Sequence, residues 1–198
     1  MILAFDTSGP HCAAALLGGD HILAARVEAM KKGQAERLMP LLEELLAETG
    51  AAWADLTRIG VGIGPGNFTG IRLAVSAARG LALALKVPAL GVSGFEIIRH
   101  GPVHGAGTVT GALLAVVPGP REQAYIEQPD GSIAFGPMVT DPARAACLGD
   151  DWQANIATLA RIAAAKTPGP RPAPLYVKPA DAAPASDPPP VILDADDA

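Results

Sequence analysis

The first third of the chain consists of short apolar runs separated by turn residues. The runs "MILAFD", "CAAALLG" and "HILAARVE" have the composition of β-strands. Thr7-Ser8-Gly9-Pro10 separates the first two runs, and Gly18-Gly19-Asp20, between the second and third, is short enough for a hairpin. We therefore predict that three antiparallel strands open the fold.

The hydrophobic period then changes to that of a helix. Between Gln34 and Glu48 leucines recur every three or four positions, glutamates occupy the other positions, and Gly50 supplies the stop. "LTRIGVGIG" predicts a fourth strand, "IRLAVSAARGLALAL" a second helix and "VPALGV" a fifth strand. The order β-β-β-α-β-α-β is that of a ribonuclease-H-like lobe, a mixed sheet with helices covering it.

The second half of the chain repeats this plan in a thinner form. "TGALLAVVPG", "EQAYIEQ" and "GSIAFG" predict three more strands, and "QANIATLARIAAAK" predicts a helix. From Thr167 onward the chain is rich in proline, so we expect an extended or disordered tail in which "PLYVK" docks on the rest. This divides the chain into an N-terminal lobe at 1–100, a reduced C-terminal lobe at 101–166 and a proline-rich tail at 167–198.

Composition and charge exclude several classes of function. The 198 residues are 49% hydrophobic and 18% charged, with a formal net charge of -5, whereas non-specific binders of nucleic acid or anionic membranes need clustered Lys and Arg. The N-terminus does not resemble a signal peptide, and the longest apolar stretch, "LALALKVPALGV", is too short to span a bilayer. Cys12 and Cys147 alone cannot form a metal cluster. We expect a reduced, cytoplasmic protein that is not bound to a membrane.

A glycine-rich loop, "GIGPGNFTGIR", joins the predicted fourth strand to the second helix. Gly64-Pro65-Gly66 predicts a tight turn, Asn67 or Thr69 can cap the helix, and the N–H groups at the helix start could hold an anion. The loop is not a P-loop, because no Lys-Ser/Thr pair follows its last glycine. A turn that merely stops a buried strand and starts a helix explains the same residues.

Histidines offer little evidence of a metal site. His100 and His104 have the spacing of helical ligands, but a Gly-Pro pair separates them, so we predict two exposed loop histidines. His11 and His21 lie at hairpin turns and are expected at the surface. We expect no metal ion and no cofactor.

Three segments of the chain have a recognisable family pattern: "ILAFDTS" at the N-terminus, "GPGNFTGIRLAVSAARGLA" in the middle and "PLYVKPADA" near the end. Together they resemble the bacterial TsaB (YeaZ) family. The family has Ser where this chain has Asn67, and both residues cap helices well. The chain departs from the family at "VVPGPREQAYIEQ", where an Asp-Ala-Arg sequence often follows the strand. The motif residues are Gly64, Pro65, Gly66, Asn67, Phe68, Thr69, Gly70 and Arg72.

The resemblance implies a two-lobed α/β fold of the actin, Hsp70 and sugar-kinase type, with a reduced second lobe. It also implies a non-catalytic partner of TsaD, which makes threonylcarbamoyladenosine beside the tRNA anticodon, with TsaE joining through the complex and tRNA contacted only indirectly. Kinase-like members of this superfamily hold a nucleotide between the two lobes with an acidic residue in the first turn and a glycine-rich motif in the second lobe. Asp6 matches the first, but the glycines after Gly119 are isolated, so Asp6 is expected to organise its turn with Thr7 and Ser8 instead.

The two N-lobe helices supply a candidate partner surface. The second helix is apolar around most of its circumference, which indicates burial on two sides. We expect the outward face to pair with TsaD, or with a second copy of the chain in isolation. Alternatives are an ATP-dependent transferase or glycoprotease-type metallopeptidase in its own right, and a homodimer with a separate regulatory role. The residues proposed for the outward face are Leu38, Leu42, Leu45, Ala74, Ala78 and Leu81.

Overall fold

The computed structural model describes residues 1–100, 113–141 and 144–177, and its first lobe is built on a five-stranded mixed sheet. The order across the sheet is β3-β2-β1-β4-β5. The first three strands pair antiparallel, while β4 and β5 run parallel to β1. The three antiparallel strands predicted at the start of the fold are therefore confirmed. The strands are β1 (Ile2–Asp6), β2 (His11–Gly18), β3 (His21–Ala29), β4 (Arg58–Gly62) and β5 (Ala89–Val92).

Two helices, α1 (Gln34–Thr49) and α2 (Phe68–Leu85), cover one face of this sheet. Side chains alternate between the faces of a strand, so Leu3 and Phe5 of β1 point to the same side. They are fully buried in one core with the leucines of α1 and the inner side of α2. Both predicted helices are present, with α1 ending at Gly50 in the left-handed conformation.

A third helix, α4 (Trp152–Ala165), covers the opposite face of the same sheet. Alanines from β1 and β2 line that face and share a core with Leu159 of α4. At Gly60 of β4 an added Cβ would lie 2.8 Å from the Ala163 side chain, so small residues allow this close approach. The domain division needs correction here, because α4 belongs by sequence to the segment 101–166 but packs as part of the first lobe.

A four-stranded sheet with the order β8-β7-β6-β9 forms the second lobe. The three strands predicted in this half are present, although the first residues of "TGALLAVVPG" lie outside the described part of the chain. The strand β9 and the helix α3 (Gly94–His100) had not been predicted, because both are too short to show a hydrophobic period. The strands are β6 (Leu114–Pro118), β7 (Gln123–Glu127), β8 (Ile133–Pro137) and β9 (Ala145–Cys147).

The helix α3 joins the cores of the two lobes. Phe95 and Ile98 pack in the core of the second sheet, whereas Ile97 packs with α4 against the first. The Glu127 carboxylate accepts hydrogen bonds from Arg99, which ties the helix to β7. Lys166 at the end of α4 forms an ion pair with Glu96. The two lobes therefore share α3 as a common packing element.

Beyond α4 the chain runs without regular structure, and residues 171–177, here called the strap, return along the first lobe. Pro172 is buried, and its carbonyl oxygen accepts a 2.7 Å hydrogen bond from Arg79 of α2. The Leu175 N–H donates to the Ile63 carbonyl at 2.8 Å. The described part of the tail is thus docked on the protein.

The length and composition of α2 would also suit a membrane span. This helix is longer than the apolar stretch considered above. Its inner side packs on β1, β4 and β5 and buries Ile71, Ala74 and Ala78, and the buried positions make up 28% of the helix.

Candidate functional site between the lobes

A cleft of about 1340 Å³ separates the two sheets at one end of the molecule. The first lobe contributes the N-terminal turn after β1 and the glycine-rich loop before α2, and the second lobe contributes the hairpin between β6 and β7. The strap and the start of α4 complete the wall. The predicted N-terminal turn and glycine-rich loop therefore meet at one cleft, although the strap and the hairpin had not been assigned to it.

The glycine-rich loop packs directly on the N-terminal turn. The Asn67 amide oxygen accepts a 2.9 Å hydrogen bond from the Gly70 N–H, so Asn67 caps α2 and exposed Thr69 does not. The Asn67 N–H in turn donates to the Ser8 carbonyl at 2.7 Å, and the Thr7 hydroxyl donates to the Gly70 carbonyl at 2.7 Å. Each segment satisfies backbone groups of the other.

Two glycines in this loop are required for different reasons. Gly64 has φ of +92°, a conformation that favours glycine. Gly66 lacks that conformation, but an added Cβ there would overlap the Ser8 carbonyl oxygen. The predicted tight turn therefore uses the conformational freedom of Gly64, whereas Gly66 has a packing role.

Asp6 is the hub of the N-terminal turn and is almost fully buried. One carboxylate oxygen accepts from the Ser8 N–H at 3.0 Å, and the other lies 2.9 Å from the Ser8 hydroxyl and 3.1 Å from His11 Nε2. The local bonds from Asp6 to Ser8 match the expected role of this turn, whereas Thr7 bonds to Gly70 instead. The Ser8 N–H, the Ser8 hydroxyl and His11 Nε2 together occupy most of the hydrogen-bonding capacity of the Asp6 carboxylate.

His11 is buried, with 1% of its surface exposed, so its expected surface position is wrong. It begins β2, a strand covered on both faces, and its ring lies 4.0 Å from that of Trp152 at the start of α4. Its Nδ1 atom is buried without a hydrogen-bond partner. The covering helix comes from the far end of the chain, so local sequence could not reveal this burial. His21 is exposed as expected.

The N-terminal turn does not have the geometry of a nucleophilic triad. In a nucleophilic triad the histidine lies between the hydroxyl and the carboxylate. Here Asp6 lies between Ser8 and His11, so His11 does not accept the Ser8 proton directly. The described ranges contain no group of three or more His, Cys, Asp or Glu side chains suited to a metal ion. His100 is exposed at the end of α3 rather than in a loop, and His104 lies outside the described residues.

Both cysteine thiols are poor nucleophiles. Burial, reinforced by the nearby Glu28 charge, raises the pKa of Cys12 to about 11. Burial also raises the pKa of Cys147 above its ordinary value. Cys12 is fully buried in the first-lobe core.

An aromatic stack lies at the mouth of the cleft. The rings of Phe68 and Tyr176 stack with their centroids 4.8 Å apart and their planes inclined by 28°, and the Arg72 guanidinium lies 5.3 Å from the centre of the Phe68 ring. The motif residues Phe68 and Arg72 thus contact the strap. On the opposite wall Arg121 and Glu122 both adopt positive φ, which shows that the hairpin departing from the family pattern makes a tight turn.

The proposed outward surface of the helices requires a major correction. The structure places five of the six residues in the first-lobe core with at most 1% exposure, and Leu81 is half-buried. Their spacing selected the side of each helix that faces the sheet. The residues buried in the core are Leu38, Leu42, Leu45, Ala74 and Ala78.

The surface of α2 turned away from the sheet is formed by other residues. Leu83 is 74% exposed, and small side chains beside it leave the helix backbone accessible. We call this surface the α2 outer face. It comprises the exposed residues Ser76, Gly80, Leu83 and Ala84, whereas the half-buried Leu73 and Ala77 beside it pack against the first-lobe core.

The amino-acid sequence of the chain is similar to those of known proteins. A family model described as TsaD: tRNA N6-adenosine threonylcarbamoyltransferase matches residues 22–178. The tRNA threonylcarbamoyladenosine biosynthesis protein TsaB of Escherichia coli (strain K12) is 34% identical over 100 residues, 50% of this chain and 43% of that protein. TsaB of Bacillus subtilis (strain 168) is 37% identical over 109 residues, 55% of this chain and 48% of that protein. The matched region thus spans about half the length of these relatives.

Structural comparison extends the match to most of the chain. A crystal structure described as an uncharacterized protein with similarity to peptidase YEAZ, from Pseudomonas aeruginosa, has a TM-score of 0.69 and 27% sequence identity. The match covers 89% of this chain and 99% of the other. It fits the predicted two-lobed fold of the actin and Hsp70 type. The fold, the glycine-rich motif and these matches agree, and the chain belongs to the TsaB (YeaZ) family, which shares a domain type with TsaD.

Proposed function

We propose that this chain is the non-catalytic partner subunit of a TsaD-containing complex that makes threonylcarbamoyladenosine next to the tRNA anticodon. The observation that carries the proposal is the α2 outer face, where Leu83 is 74% exposed among small and apolar neighbours. Exposed apolar patches on folded domains mark interaction sites. The family's role in this biosynthesis supports TsaD as the partner of this surface, and we propose that a second copy of the chain occupies it in isolation.

The small residues of the α2 outer face favour a helix as the docking element. Gly80 and Ala84 are exposed one helical turn apart on α2 and project little beyond the backbone. A partner helix can therefore approach closely and bury Leu83 at the contact. TsaE then joins through the complex, and the acidic chain contacts tRNA only indirectly, in the cytoplasm.

The cleft supports a structural role for the N-terminal turn. The Asp6 carboxylate is engaged by Ser8 and His11, and the strap lines the same cleft. The alternatives are an ATP-dependent transferase and, as the description of the Pseudomonas neighbour suggests, a peptidase. Calorimetry with Mg-ATP and peptide hydrolysis assays on the isolated chain test both. Micromolar, stoichiometric nucleotide binding or metal-dependent hydrolysis would overturn the non-catalytic assignment.

A matched pair of leucine substitutions tests the partner role. Leu83→Glu places a charge on the α2 outer face, and Leu23→Glu makes the same change at a 45% exposed leucine of β3. Burial of one leucine contributes about 1.5–3 kcal/mol, so Leu83→Glu is expected to weaken TsaD binding about tenfold or more. Leu23→Glu should bind as the parent does. Equal binding by both folded variants would contradict the proposed surface.

A further inference from the structure

The strap is held by the first lobe through polar and aromatic contacts. Arg79 donates to the Pro172 carbonyl at 2.7 Å, and the Leu175 N–H donates to the Ile63 carbonyl at 2.8 Å. Tyr176 stacks on Phe68 with a ring separation of 4.8 Å. These anchors run from the loop after β4 to the middle of α2, so they fix the strap along one side of the first lobe.

The second lobe holds the same strap through apolar contacts. Leu175 and Val177 pack against the core formed by α3 and the second sheet, beside Phe95 and Ile98. Leu175 therefore uses its backbone for one lobe and its side chain for the other. The strap thus contacts both lobes although it forms no regular strand.

The strap also has the composition of a stiff connector. Proline occupies every second position from Pro168 to Pro174, and proline restricts the backbone before and after folding. A segment of this kind loses little conformational entropy when it docks. It therefore resists extension better than a glycine-rich linker of the same length.

We propose that the strap is an interlobe clasp that holds the two lobes at one relative angle and keeps the cleft at one width. In the described residues the backbone passes between the lobes around α3 and again between β9 and α4. Connections of this kind permit hinge rotation. The strap adds a separate contact with both lobes, which opposes that rotation.

Release of the clasp from the first lobe tests this proposal. The double variant Arg79→Ala/Tyr176→Ala removes two anchors whose side chains are exposed, so the core is left intact. Arg26→Ala is the control, because Arg26 also forms a hydrogen-bonded contact but on β3, at the other edge of the first sheet. Circular dichroism verifies the fold of each variant.

Two measurements decide the outcome. Hydrogen exchange at the Leu175 amide reports strap release, and we expect it to be about tenfold faster in the double variant. Pulsed electron spin distances between nitroxides on Ala29→Cys and Ala134→Cys, with Cys147→Ser in every sample, report the interlobe distance. We expect a narrow distribution in the parent and Arg26→Ala, and a broader one in the double variant. An unchanged distribution after release, or unchanged exchange at Leu175, would overturn the clasp.

Discussion

The outer surfaces of α1 and α2 differ sharply, although both helices cover the same face of the first sheet. On α1 the exposed positions include four glutamates, and Arg37 forms ion pairs with Glu28 and Glu44. On α2 the corresponding surface presents Leu83 and small residues. Interfaces combine an apolar centre with a polar rim. The comparison suggests that α2 supplies the centre of a partner contact and that α1 supplies charged surface beside it.

The largest effect is expected when a charge enters the inner side of α2. Ala78 is fully buried against the first sheet, so Ala78→Glu forces an unpaired carboxylate into the core and should cost about 4 kcal/mol or more. Ala84→Glu makes the same change at an exposed position of the same helix and should leave the urea midpoint near that of the parent. Similar urea midpoints for the two variants would contradict the orientation of α2 that buries Ala78 against the sheet and exposes Ala84.

The second largest loss of stability is expected where the loop before α2 packs on the N-terminal turn, at Gly66. Gly66→Val should destabilise the fold by about 1–3 kcal/mol, because the added side chain overlaps the Ser8 carbonyl. Gly136→Val is the control, since no atom lies within 4 Å of an added Cβ there. If Gly66→Val were as stable as the parent and paired with TsaD but stopped tRNA modification, the loop would be a functional site rather than an anchor.

The helix cap at Asn67 should give a smaller change. Asn67→Ala removes the acceptor of the Gly70 N–H and should cost about 1 kcal/mol, measured by thermal or urea unfolding. Asn67→Ser keeps a capping oxygen and should remain close to the parent. A serine variant as unstable as the alanine variant would show that the Asn67 side chain has another role.

The ion pairs on α1 should give the smallest effect. The Arg37 guanidinium lowers the pKa of Glu28 and of Glu44 through hydrogen bonds. Their stabilisation is therefore present above the ordinary carboxyl pKa and is lost as pH falls through the lowered values. Arg37→Ala should reduce the urea midpoint slightly at about pH 7, and this difference should shrink towards pH 3 or in high salt. A difference that grew on acidification would contradict these pairs.

The sequence predicted elements well where a single hydrophobic period runs through them. The leucines of α1 and the short apolar runs of β1 to β3 led to the correct elements, and the glycine-rich loop led to the family. The orientation of α2 could not be predicted in this way, because alanines lie on both sides of the helix. Ala74 and Ala78 are buried against the sheet while Ala84 is exposed, and only the packed fold distinguishes these alanines.

The remaining differences arise from contacts between distant parts of the chain. The sequence around His11 indicates an exposed turn residue, but in the structure Trp152 of α4 packs over its ring. Leu175 and Tyr176 of the strap contact Ile63 and Phe68 of the glycine-rich loop, which lie more than a hundred positions earlier in the sequence. Such contacts leave no local period, so sequence patterns placed the docking segment "PLYVK" without identifying the surface that receives it.

Hydroxyl-radical footprinting with and without TsaD tests the central claim most directly. It reports the solvent exposure of individual side chains, and Leu83 on α2 and Leu23 on β3 are both exposed leucines in the isolated chain. The chain should be kept dilute enough to be monomeric, so that a second copy does not cover α2. TsaD binding is expected to protect Leu83 several-fold and to leave Leu23 unchanged, because a buried leucine loses its contact with water. A complex in which Leu83 is oxidised as fast as in the free monomer would contradict the α2 outer face as the partner surface.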